Sequence, residues 1–401
     1  MLGAPRMDSL PPALTLEDEE SFAWRVFHQR HPELIRRLNC AHPYGPEQRE
    51  ALSALVEESR YGVIAGLPED APDRALWQEW DLGHVGTPWK KALFLWAESY
   101  FYRRLLEAVG YFAPGAWNGV DPFAPFKTAE LRSPTLDVDF AWLNDMPSSA
   151  DPQASFDAAL SASLYGNRAD LGFRLTAAGT SSSHERLVAD DSLQLWQFLT
   201  DYAPVRMTFV LDNGGRELLS DLILADHLLV TGLASEVVLH TKPFPYYVSD
   251  ATTADVGDCL RRLTEMSGEP GAAGRRIHQA AADGRMRIRT HPFHCAPLSF
   301  HHLPKDLADD LGAGATIFKG DLNYGRIVGD CAWDPTRPFH TAASYLPGPA
   351  AVLRTLKSDV IVGLSPGCVR DLNNRDADWR VNGNHALVQA ALDPRGATGV
   401  A

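Results

Sequence analysis

The stretch "VRMTFVLDNGGRELL", Val205 to Leu219, decides the architecture. A β-branched and aromatic run of strand length stops abruptly at Asp212, Asn213 and two glycines. A helix-like pattern starts at once, so the unit reads as strand, tight turn and helix. A run from Met207 to Leu211 that is apolar but for Thr208 belongs in a sheet covered on both faces. In such sheets ligands collect outside the carboxyl ends of the strands, which is where Asp212 and Asn213 stand.

The same grammar recurs downstream. "VVLHTKPFPYYVSD" (237–250) is a strand followed by Lys242 and Asp250, and "ATIFKGDLNYG" (315–325) ends in Lys319, Asp321 and Asn323. "AVLRTLKSDVIVGL" (351–364) carries Arg354 and Lys357. Residues 141–390 are therefore expected to form an α/β fold, a three-layer α/β/α Rossmann-like domain. Residues 1–140 read as a helical N-terminal region and a Pro/Gly-rich connection, and 391–401 as a disordered tail. The best helix signal is "PWKKALFLWAESYFYRRLLEAVGYF", with Pro88 expected in its first turn. Its Glu98, Arg103 and Arg104 are expected to be solvated or paired locally.

Composition narrows the function. The net charge of −14 over 401 residues argues against a nucleic-acid partner, whose phosphates want a basic face. The five cysteines are scattered and lack a C-x-x-C pair, which suits a reducing interior rather than a disulfide scaffold. No stretch resembles a signal peptide or the roughly 20 apolar residues of a membrane helix. A cytoplasmic protein with no membrane partner is expected; the oligomeric state is not legible.

The segment ends carry the chemistry. Two carboxylates and an amide supply the hard oxygen ligands of a Mg-, Mn- or Co-type ion, and lysines and arginine close by suit a phosphate. Gly214 and Gly215 are expected to let that phosphate approach the N-terminus of the following helix. The reading is a metal site facing a phosphate pocket.

"LDNGGRELLSDLILADHLL", "KPFPYYVSDAT", "FKGDLNYGRIVGD" and "RTLKSDVIVGL", taken in order, resemble the metal-dependent damage-control phosphatases. The branch is the one marked by Arg-Thr-x-Lys, which includes acidic-residue-methyltransferase-like proteins. The resemblance runs from "SFAWRVF" near residue 21, through "ESYFYRRLLEA" and "YGNRADLGF", to about residue 365. It implies that Asp212, Asn213 and Asp250 hold the metal and that Glu217 lines the pocket. It implies a substrate loop of Asp321, Leu322, Asn323 and Tyr324 beside Lys319. It also implies that Arg354 and Lys357 are the subfamily motif, with the lysine on substrate, and that Asn167 lies near the site. Asp212, Asp250 and Lys357 are the catalytic residues of this reading. The implied reaction removes phosphate from a small phosphorylated metabolite such as fructose 1-phosphate, with Mn, Co, Ni or Mg.

The chain departs from that pattern at two places. The family loop commonly reads Asp-Leu-Asn-Tyr-Arg, but here Gly325 stands at the arginine's position and Arg326 follows. Gly215 and Arg216 also stand where Ala-Gly-Phe or Ser-Gly-Phe is usual. Both point to a specialised substrate. Two other clusters carry less: His291, His294, Cys295, His301 and His302 lack the spacing of a structural zinc site, and Ser181 to His184 lack a nucleophile turn. The competing activities are a protein carboxyl methyltransferase using S-adenosylmethionine and a redirected metal-dependent biosynthetic enzyme.

Overall fold

A computed structural model describes residues 10–145, 151–166 and 187–393. Asn167, the Ser181 to His184 cluster and the tail beyond residue 393 lie outside the described residues.

Seven strands form one sheet in the order β1-β7-β6-β5-β2-β3-β4. They are β1 (Leu187–Asp190), β2 (Val205–Val210), β3 (Ala234–Thr241), β4 (Met286–Thr290), β5 (Ala315–Lys319), β6 (Ala350–Thr355) and β7 (Ala386–Ala391). Strands β2 to β6 run parallel, β7 lies antiparallel to β6, and β1 runs parallel to β7. The parallel part is wound in two directions. From β2 the chain moves through β3 to β4 on one side, then returns to lay β5 and β6 on the other. The strand order reverses between β2 and β5, and that reversal opens a crevice at their carboxyl ends.

Alternation along the strands explains the layers. Met207, Phe209, Leu211, Ile317 and Leu353 point to one face, where Phe156, Leu199, Leu222, Val256 and Ile277 of five helices cover them. Val210, Phe318, Val352 and Leu387 point to the other face and join Leu38, Leu52, Phe101 and Leu105 of the N-terminal helices. The architecture is the expected α/β/α sandwich.

Local chemistry fixes the helix starts. Thr252 and Asp255 form a reciprocal capping box at the head of the Thr253–Glu265 helix, directly after Asp250. Pro88 does not open the long N-terminal helix. It precedes a short 3-10 turn, Trp89–Lys91, and the helix runs from Phe94 to Val109. The Phe22–Arg25 helix passes into Val26–Arg30, a π-helical turn, before the His31–Ala41 helix. Such turns rotate the side chains that follow them onto a new face.

Candidate active site

Backbone hydrogen bonds, not sequence proximity, bring Asp250 to Asp212. Gly214 N donates to Ser249 O at 2.6 Å, Ala251 N to Asp212 O at 2.7 Å, and Lys242 N to Ala251 O at 2.9 Å. The chain leaving β2 is thereby laced to the segment that ends the loop after β3. Asn213 Nδ2 donates to Asp212 Oδ2 and to Glu217 Oε2, both at 2.8 Å, while Ser249 Oγ donates to Asn213 Oδ1 at 2.5 Å. Lys242 Nζ stands 3.1 Å from Asp250 Oδ2.

Asp212, Glu217 and Asp250 are buried together. Burial first, then repulsion from Glu217 and Asp250, pushes the Asp212 carboxyl well above the usual carboxylate range, and Lys242 and Lys357 only partly offset this. A dication would remove that repulsion. Gly320, at φ +82°, leaves room for that carboxylate at the head of the cleft; a Cβ there would lie 1.9 Å from Asp212 Oδ2. Among the described residues no three His, Cys, Asp or Glu side chains already converge as a metal cage. The third donor would be the Asn213 amide, whose oxygen faces Ser249; a half-turn of that amide exchanges oxygen for nitrogen. The donor set fits a hard divalent ion.

The glycine turn does not present an open helix N-terminus. The Glu130 carboxylate already accepts from Arg216 N at 3.2 Å, and a Cβ on Gly215 would meet Glu130 Oε2 at 2.3 Å. Gly215 makes room for the protein's own anion, so the phosphate expected there must sit elsewhere. Arg216 does not rim the cleft either, because its guanidinium pairs with Asp139.

Strands β5 and β6 bring the remaining residues. Asp321, Leu322 and Lys357 line a cleft of about 440 Å³ together with Asp212, Asn213 and Asp250. Four others stand behind its wall with 1% exposure or less. Lys319 Nζ is bound by Asp221 Oδ1 at 2.9 Å and by the Ser163 carbonyl at 2.5 Å. Asn323 Nδ2 donates to Lys319 O at 2.8 Å, and the Tyr324 hydroxyl accepts from Val362 N at 2.9 Å. Arg354 lies over the Tyr324 ring, donates to Asp321 Oδ1 at 2.7 Å and holds the Val360 carbonyl at 2.5 Å. Lys357 N donates to the same Asp321 oxygen at 3.1 Å. Their geometry fits fixing Asp321 and Lys357 rather than touching a ligand.

The opposite wall has no role in the resemblance, although Phe22, Val26, Glu98 and Tyr102 lie in its "SFAWRVF" and "ESYFYRRLLEA" stretches. Phe22, Val26, Arg30, His31 and Arg37 form one stripe along the first helices, and Glu98 and Tyr102 come from the Phe94–Val109 helix. The four- and seven-residue spacing of Phe22, Val26, Arg30 and Arg37 was the available signal. Arg103 and Arg104 are paired across elements rather than only locally, with Asp73 and Glu58, 30 and 46 residues away, and Glu98 faces the cleft. The histidine cluster is spent on packing: His294 hydrogen-bonds His240 at 2.9 Å, His291 pairs with Asp306, and His301 stacks on Tyr345.

The family model described as the damage-control phosphatase ARMT1-like domain matches residues 26–372. The chain belongs to that family. This ARMT1-like chain is 30% identical to the damage-control phosphatase ARMT1 of Danio rerio, over 95% of its own length and 97% of the relative's. Identity to the Mus musculus protein of that name is 28%, over 96% and 99%. Identity to the Homo sapiens protein is 26%, over the same shares. A DUF89 family protein from Pyrococcus horikoshii aligns with a TM-score of 0.49 and 13% identity, over 91% of this chain and 96% of that one. No helix among the described residues of this ARMT1-like chain is long and apolar enough to cross a membrane.

Proposed function

We propose that this family member is a divalent-metal-dependent phosphomonoesterase for a small phosphorylated metabolite, foremost a sugar phosphate. The observation that carries the reading is the meeting of Asp212, Asn213 and Asp250 with Lys357 in one cleft at the β2/β5 reversal. A Mn, Co, Ni or Mg ion held by Asp212, Asn213 and Asp250 would supply positive charge to the phosphoryl group and acidify water in the site. Lys357 neutralises charge that builds on the equatorial oxygens as the ester bond lengthens. Asp321 is held at Oδ1 by Arg354 and the Lys357 N–H, which leaves Oδ2 for a leaving-group hydroxyl. Water is the nucleophile in this reading, because Asp212 is committed to the cation. Lys319 and Arg354 position the wall.

Filling of the glycine turn by Glu130 and Lys127 favours this reading over a methyltransferase, whose donor needs that turn open. The test is phosphate release from a sugar-phosphate panel, run with Mn, Co, Ni and Mg separately. Release with at least one ion is expected, and Asp212→Asn is expected to lower kcat at least roughly a hundredfold. Full turnover in that variant, or turnover indifferent to chelation, rules the assignment out.

A further inference from the structure

We infer that His31, Glu98 and Asp330 form the leaving-group subsite of this cleft and hold the hydroxyl-bearing part of the substrate. The inference rests on the phosphatase reading and gives roles to residues for which the resemblance implied none. All three line the same 440 Å³ cleft as the acids at the β2/β5 reversal.

His31 is the strongest part of the case. It is 1% exposed and lines the cleft, yet neither ring nitrogen has a hydrogen-bond partner among the described residues. Its ring stacks on Phe101 at 3.6 Å and meets Phe27 edge-on at 4.6 Å. A phenyl group would pack there as well without two orphaned polar atoms, which are costly to bury unpaired. Burial, and then Arg30, holds its pKa down to about 3, so the ring is neutral and offers one donor and one acceptor.

The two carboxyls match that chemistry. Burial and then Asp330 push Glu98 up to about 8, while burial and then Asp321 push Asp330 up to about 7. Glu98 is therefore largely protonated at neutral pH and Asp330 half so, and a protonated carboxyl both donates and accepts. Tyr247 and the Leu95 N–H hold them in place. Neutral His31 and protonated Glu98 each donate and accept, which suits hydroxyls, and Asp330 adds an acceptor beside them.

Gly325 sets the depth of this subsite. It lines the cleft, and a Cβ there would meet only Asp330 Oδ1, at 3.5 Å. Arg326 does not fill the space from the next position. It points into the core between Phe293 and Phe300 and donates to the carbonyls of Phe293 and Leu298, each at 2.8 Å.

The test compares kcat/KM for a hexose phosphate with that for phenyl phosphate in the manganese-loaded protein. The variants are Glu98→Leu and His31→Phe, each of which removes both donor and acceptor. The ratio is expected to fall roughly tenfold or more in each, the worth of one buried hydrogen bond. An unchanged ratio in Glu98→Leu and His31→Phe overturns the inference, since a purely structural loss lowers both substrates alike. If the wild type releases phosphate from neither, the phosphatase reading fails by itself, and calorimetric binding of the hexose phosphate decides the subsite. A roughly tenfold weaker Kd in those two variants supports it, and equal affinity overturns it.

Discussion

At Gly320 a missing side chain makes room for the Asp212 carboxylate. A Cβ at that position would coincide with the Asp212 carboxylate, on a backbone that L side chains rarely adopt. Gly320→Ala is expected to displace Asp212 and to lower stability by about 1–3 kcal/mol. Denaturant unfolding and manganese-dependent phosphate release, both reduced, check this. Glu98 makes a second prediction, about pH. Its folded pKa, about 8, lies above the ordinary 4.5, so the folded state binds more protons than the unfolded one between those values. Its contribution is full below pH 4.5 and is lost as pH rises through 8. The metal-free protein should lose more stability over that interval than Glu98→Gln does, and parallel Tm profiles would contradict this.

The β5-to-helix junction shows what an element contributes beyond its motif. Lys319 was expected on the substrate because lysine beside a phosphate site is common. It instead neutralises Asp221 on the Arg216–Val230 helix, tying β5 to that helix through Ser163. Lys319→Met leaves a buried carboxylate unpaired and is expected to cost about 3–5 kcal/mol. Adding Asp221→Leu should recover most of it, as read by denaturant midpoints at constant slope. The strand ends were legible because apolar runs and terminal polar residues are local signals. Which polar groups face the ligand was not, since Lys319, Arg354 and Asn323 are drawn inward by partners up to 156 residues away. The Glu130 carboxylate at the Arg216–Val230 helix was illegible for the same reason.

Over the whole molecule the N-terminal helices and the sheet share a hydrophobic cluster that runs from Leu16 to Leu387. The α/β/α layering could be read from period-two and period-3.6 patterns, but the role of the first helices as a cleft wall depends on packing across the chain. A chain truncated to residues 112–393 would expose Val210, Phe318 and Val352 to water and is expected to be insoluble or molten. A cooperative near-UV CD melt of that fragment would refute this. The pairing of β2 with β5 has a consequence of its own. Val210 faces Phe318, so Asp212 meets Gly320 because each lies two residues further along its strand. Deleting any single residue within Ala315–Lys319 would bring Asp321 opposite Asp212, setting like charges together where space is now kept. The centre is therefore addressed by counting along two neighbouring threads, and it is vulnerable to frameshift-like slips that change no acid at all.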